Sequence, residues 1–247
     1  MMERKNKHTI WPKQSTEPTL PAGTSAPEHP PRQPRLAATL IGQEANRYII
    51  VSGVPASGKS TVARLIAREL ALPVLDKDDF LESMFEDGGS GDAELRRKFS
   101  RLADQELRNQ AERSNGAIIA SWWKHPLSSV DSGTRTDWLA SLPGTRVEVH
   151  CCCSPGVAAR RFAERQRHPG HLDSRWSYAE LLTRFTQDAS LGPLGIGRVV
   201  KVQTDCEVEL GALMDAIIRP NSNQPNAPTG PTTASDTAAA EHPPRRI

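Results

Sequence analysis

The run Gly53-Val54-Pro55-Ala56-Ser57-Gly58-Lys59-Ser60-Thr61 combines two glycines, a lysine and hydroxyl side chains at a spacing suited to holding a polyanion. Its pattern is Gly, four residues, then Gly-Lys-Ser. Gly53 and Gly58 let the backbone turn tightly enough for successive N–H groups to face one anion, which a Cβ would obstruct. Lys59 would reach the β- and γ-phosphates of a nucleotide as a point charge. The Ser60 hydroxyl would bind the Mg²⁺ that bridges them. Pro55, Ala56, Ser57 and Thr61 complete the predicted cofactor-binding loop. A helix opening at Lys59 adds the positive end of its dipole to the field.

Two further groups could complete such a site. Asp76-Lys77-Asp78-Asp79-Phe80 supplies carboxylates, which phosphoryl transfer needs to hold a metal and to take a proton from an acceptor hydroxyl. In an extended segment Asp76 and Asp78 point to one side and Asp79 to the other. Asp78 is therefore the expected base and Asp76 a water-mediated ligand on the metal side; the alternative is that these acids only cap a helix starting near Phe80. The segment from Arg160 to His171 carries Arg160, Arg161, Arg165 and Arg167 on a helix that runs into Pro169-Gly170. That is the form of a lid, and Arg165 and Arg167 would stabilise charge on the transferring group. A solvated basic helix face is the competing reading, more so for Arg160 and Arg161. Trp122 and Trp123 could wall a substrate pocket, or one of them could pack in the core.

The elements that must position these groups alternate between strand and helix. Tyr48-Ile49-Ile50-Val51 reads as a buried parallel strand, and Val62, Leu65, Ile66 and Leu70 give the helix from Lys59 to about Ala71 an apolar face. Further strands are predicted at Pro73–Leu75, Ala117–Ala120, Thr145–Cys153 and Arg198–Val202. Further helices are predicted from Asp92 to Asn115, from Pro155 past Phe162, and from Val208 to Ile218. This order means an α/β fold, a parallel sheet with helices on both faces in three layers. The Asp76 segment then falls at the carboxyl end of a strand, where open α/β sheets bind ligands.

Composition sets the limits of that domain. Of the 20 prolines in 247 residues, seven lie in residues 1 to 35 and six in 220 to 247. Residues 1–43 and 220–247 therefore read as disordered Pro-rich tails around a core at 46–218. About 175 residues can bury roughly 70 per cent of their unfolded surface without staples. A net charge of +2 disfavours a nucleic-acid partner. No apolar run suggests a signal peptide or a membrane span, so a cytoplasmic protein is expected. Cys151, Cys152, Cys153 and Cys206 read as buried, reduced thiols, because neighbours on a strand face opposite ways and cannot converge on one metal.

With these motifs assembled, residues 46 to 218 resemble the small P-loop kinases of the zeta-toxin, chloramphenicol phosphotransferase and polynucleotide kinase type, often labelled AAA family ATPases. The resemblance implies a nucleoside-kinase-like fold, a general base at Asp78 and a lid arginine at Arg165 that contacts phosphates. Leu81 stands where polynucleotide kinases of this type carry Arg, which argues against a nucleic-acid end as acceptor. Ala56 replaces a common Gly. Ser121 stands where many P-loop proteins have Asp, so the acid near the metal should come from Asp76. No Asn-Lys-x-Asp guanine signature occurs, which favours ATP. The expectation is an Mg²⁺-dependent kinase that moves the ATP γ-phosphoryl to a hydroxyl of a small molecule. Its alternatives are a nucleotide-dependent regulatory module that works through its tails and a kinase acting on a nucleotide or polynucleotide end.

Overall fold

A computed structural model describes residues 46–89 and 91–219; both predicted tails lie outside the described residues. Five strands form one parallel sheet in the order β2-β3-β1-β4-β5. They are β1 (Arg47–Ser52), β2 (Val74–Asp76), β3 (Gly116–Ala120), β4 (Thr145–Cys152) and β5 (Arg198–Gln203). The helices are α1 (Lys59–Leu70), α2 (Lys77–Gly88), α3 (Ala93–Arg113), α4 (Pro155–Glu164), α5 (Tyr178–Ser190) and α6 (Leu210–Ile218).

The central strand shows why the sequence demands this layering. β1 has apolar side chains at successive positions, so both of its faces must be covered. Ile49 and Val51 pack with Val62 and Ile66 of α1 and Leu213 and Ile217 of α6. Tyr48 and Ile50 pack on the other face with Leu107 and Ala111 of α3. Because β3 and β4 flank β1 on opposite sides, the chain reverses its strand order there, and a crevice opens at the carboxyl ends.

Three details depart from the expected layout. The second strand runs directly into α2 at Lys77, so Asp78 and Asp79 occupy a helical first turn and not an extended segment. Asp76 is the residue that caps this helix, its Oδ1 accepting from the Asp78 N–H at 3.1 Å. Helix α5 has no counterpart in the predicted elements; a reciprocal Ser177–Glu180 capping box starts it, and Leu181 and Phe185 bury its inner face against Phe162 of α4. Third, Glu148 is completely buried in β4, where the alternation of Arg146-Val147-Glu148-Val149 reads as a polar face. Four donors explain its burial: the Ser52 hydroxyl at 2.5 Å and the N–H groups of Leu194, Gly195 and Ile196 at 2.8 to 3.1 Å.

The thiols are also less uniform than expected. Cys151 and Cys153 are buried, but Cys152 is half-buried and Cys206 is exposed, because Cys206 falls in the loop after β5 and not in a strand. Burial pushes the Cys151 thiol up to about 12 and, with Asp205 beside it, that of Cys153 up to about 11. Neither can act as a thiolate nucleophile near neutral pH. Among the described residues, no helix is long and apolar enough to cross a membrane.

Candidate active site

The loop between β1 and α1 is folded around its own backbone. Gly53 has φ +129°, and a Cβ there would lie 2.6 Å from the Cys151 carbonyl oxygen. Gly58 has φ +89°, and a Cβ there would meet Thr204 only at an ordinary 3.8 Å, so its conformation alone requires glycine. Gly58 also sits at the N-cap of α1, with no side chain capping the helix. The first N–H groups of α1 therefore remain free for an anion. Ala56 adopts φ +58°, a left-handed conformation that L side chains disfavour. Ala56→Gly should thus stabilise the chain by about 1 kcal/mol, read as a raised midpoint in urea unfolding; an unchanged or lowered midpoint would count against strain at this position.

Lys59 donates to the carbonyls of Gly53 at 3.0 Å and Val54 at 2.8 Å. Burial lowers its pKa. Buried Ser57 Oγ has no hydrogen-bond partner among the described residues. Ser60 Oγ donates to Asp76 Oδ2 at 2.5 Å. The two hard oxygen donors predicted for the metal are therefore adjacent, as a hydrated divalent cation requires. The predicted site residues, except Gly53 and Ser57, line a single cleft of about 1200 Å³.

Asp76 and Asp78 are neighbours with opposite electrostatics. Burial, followed by the nearby Asp78 charge, raises the Asp76 carboxyl above its ordinary value. Burial also pushes Asp78 up, but the cations around it, Arg167 first and then Lys59 and Arg165, outweigh it and hold Asp78 low. Asp79 turns away toward exposed Arg64, at 3.5 Å.

The lid residues meet the cleft as a folded cluster. Helix α4 stops at Glu164, and the chain continues through two short 3₁₀ turns at Pro169–His171 and Asp173–Arg175. Arg167 pairs with Asp78 at 2.5 Å. Asp173 binds both Arg165, at 3.0 Å, and Arg167, at 3.3 Å. His171 is buried, its Nε2 lies 2.8 Å from Glu82, and both His168 and His171 pack on the Phe85 ring. Arg161, read mainly as a solvated charge, instead donates to the carbonyls of Thr204 and Asp205 at 2.8 and 3.2 Å and ties α4 to the end of β5.

Burial, then Arg167, lowers the His171 pKa, so the folded protein favours the neutral ring. A depressed histidine contributes stability that is present above its unfolded value, about 6.5, and is lost as pH falls through the folded value. Acidification below about pH 6.5 should therefore lower the melting temperature, and His171→Gln should remove that component of the pH dependence. Identical pH profiles for both proteins would rule out this role.

Trp123 packs in the core and donates its indole N–H to the Val51 carbonyl at 2.9 Å. Trp122 lines the cleft, with the Arg184 guanidinium 5.4 Å from its ring centre. Ser121 hydrogen-bonds Thr134 at 2.6 Å, and Thr134 donates to Asp104, the partner of buried Lys77 at 2.7 Å. This chain of contacts fastens the start of α2 to β3 and α3. Asp173, Glu82, His171 and Arg96 are parts of the site that sequence reasoning missed. Their spacing carries no motif, and they meet only when the lid folds onto α2 and α3.

A parallel sheet with a phosphate loop at its switch point and an arginine lid over an acidic helix start defines a small P-loop kinase-type domain. The chain matches the AAA domain model (AAA_33) over residues 49–180, more than half its length, and belongs to that family. It is similar to a UPF0200 protein of Aeropyrum pernix, with 30% identity over 175 residues that cover 69% of this chain and 88% of the relative. Among solved structures, a protein of Chloroflexus aurantiacus provisionally described as a kinase shares 27% identity with a TM-score of 0.59, over 70% of this chain and 97% of that one. The shikimate kinase of Bacteroides thetaiotaomicron matches at 18% identity and a TM-score of 0.43, over 69% and 95% of the two chains.

Proposed function

We propose that the protein transfers the γ-phosphoryl group of ATP to a hydroxyl of a small molecule. The observation that supports this most is the setting of Asp78. It is a carboxylate held low by three cations, paired to the lid's Arg167 on one side and within the field of Lys59 and Arg165 on the other.

The N–H groups of the loop and Lys59 would orient the phosphates, and Lys59 would exchange its loop carbonyls for phosphate oxygens. Ser60 and Asp76 would hold Mg²⁺, which when bound neutralises charge on the β- and γ-phosphates. Asp78 would accept the proton of the acceptor hydroxyl as that oxygen bonds to the γ-phosphorus. The bond from the γ-phosphorus to the bridging oxygen breaks, and ADP leaves with the electron pair. Arg165 and Arg167 would face the charge on the transferring group. Arg167 must first release Asp78, so the lid contact also shields the base until an acceptor arrives.

The test is ATP consumption by the full chain with Mg²⁺, alone and with pooled hydroxyl-bearing small molecules, beside Lys59→Ala. Acceptor-stimulated turnover that disappears in the variant supports the kinase. Turnover that persists at the wild-type rate in Lys59→Ala would reject it.

A further inference from the structure

The cleft carries two groups of cations, and Asp78 is common to both. Lys59 interacts with Asp78, Asp76 and Arg165 at the phosphate loop. Arg96, on α3, interacts instead with Asp173, Arg167, Asp78 and Arg175. The nucleotide's phosphates would occupy the first group. In the second, Arg167 is paired with Asp78 and Asp173, but Arg96 and Arg175 have no ion-pair partner among the described residues.

The acids near this second group are already engaged. Asp173 is shared between Arg165 and Arg167. Asp92 caps α3, accepting from the N–H groups of Glu94 and Leu95 at 2.9 and 3.0 Å. Arg96 is half-buried, and its Nε donates to the His171 carbonyl at 2.8 Å. That bond orients the guanidinium but leaves both terminal nitrogens without a protein acceptor among the described residues. Arg97 and Arg175 line the same cleft and are exposed, and their side chains make no hydrogen bond or ion pair among the described residues. Three guanidiniums thus line the cleft with no carboxylate in ion-pair contact among the described residues; Asp173 and Asp78 act on Arg96, and Asp92 on Arg97 and Arg175, only from further away. Holding like charges together is unfavourable unless an anion joins them, and planar guanidinium forks match carboxylate and phosphate oxygens.

We infer that the acceptor is an anionic alcohol, whose carboxylate or phosphate group binds Arg96, Arg97 and Arg175 while its hydroxyl meets Asp78. This rests on the kinase reading above. It separates the acceptors into two chemical classes, because a neutral sugar or apolar alcohol would leave these arginines unmatched.

The test uses the full chain saturated with Mg²⁺ and a non-hydrolysable ATP analogue, whose own binding is measured first. Sulfate is then titrated by calorimetry at constant ionic strength, and acetate in a separate arm. Saturable anion binding is expected, weakened about fivefold or more in Arg97→Gln/Arg175→Gln with analogue affinity unchanged, and weakened again in Arg96→Gln. The double variant touches only exposed side chains, so it separates anion binding from folding of the lid, which Arg96→Gln could disturb. Tighter sulfate than acetate binding points to a phosphate-bearing acceptor, and the reverse to a carboxylate. Absent saturable binding of either anion, or equal binding in the double variant, overturns the inference and leaves the kinase reading standing. Failure of the analogue itself to bind removes both.

Discussion

Asp78→Asn is expected to lower the rate of phosphoryl transfer by roughly 10² to 10⁴-fold while leaving ATP affinity nearly intact. The asparagine keeps the size and the helical first-turn position of Asp78 but has no lone-pair oxygen basic enough to take the acceptor's proton. It also removes a negative charge that faces Lys59 and the lid. Nucleotide phosphates would then meet slightly less repulsion, so a weaker ATP complex is not expected. Arg167 loses its 2.5 Å partner but keeps Asp173, so the lid retains an anchor. Rate and nucleotide affinity measured separately decide the point. Loss of both to the same degree would mean that Asp78 supports the loop and does not act on the acceptor.

Glu148→Ala should destabilise the fold by about 2–4 kcal/mol, a large part of the roughly 5–15 kcal/mol that holds a domain together. The alanine would remove the acceptor of three backbone N–H groups, those of Leu194, Gly195 and Ile196, while the Ser52 hydroxyl keeps His150 Nδ1 at 2.8 Å. A stranded buried donor costs about 1–3 kcal/mol, and here the cost falls toward the lower end, because Leu194 and Ile196 are half-buried and Gly195 is exposed, so water recovers part of it. The effect reaches the site because Ser52 immediately precedes Gly53 and the segment 194–196 packs beside β1 and β3. Glu148→Gln keeps one acceptor oxygen and should lose less. Urea unfolding of the three proteins is the measurement, and a cost below about 1 kcal/mol for Glu148→Ala would show that these donors find other partners.

How much of this was legible beforehand depended on the range of the interactions. The phosphate loop and the strand and helix around it are local: glycine conformation, a lysine at the helix start and a period of apolar residues all lie within one stretch of chain. The pairing of Ser60 with Asp76 was also anticipated, because Ser121 left the acidic role vacant at the end of β3. The start of α2 was not. Strand alternation put Asp76 and Asp78 on one side, whereas Asp76 caps the helix that carries Asp78. Local propensity favoured both readings, and Lys77 decided between them by turning inward to Asp104, a contact across 27 residues.

The lid shows the same division. Arginines before a Pro-Gly turn were visible as a basic segment, but a run of charge has no direction. Asp173 and Glu82 orient it, His171 and Phe85 dock it, and Arg161 joins α4 to β5. By itself the amino-acid sequence determined the phosphate-binding chemistry, the parallel α/β architecture and the carboxylate beside it, since backbone conformation and hydrophobic period act between near neighbours. Only the tertiary structure decided which charges face one another. Buried Glu148, the Arg167–Asp78 pair and the uncommitted arginines of α3 and the lid depend on side chains that the sheet brings together from distant parts of the chain, where desolvation makes each pairing or its absence count.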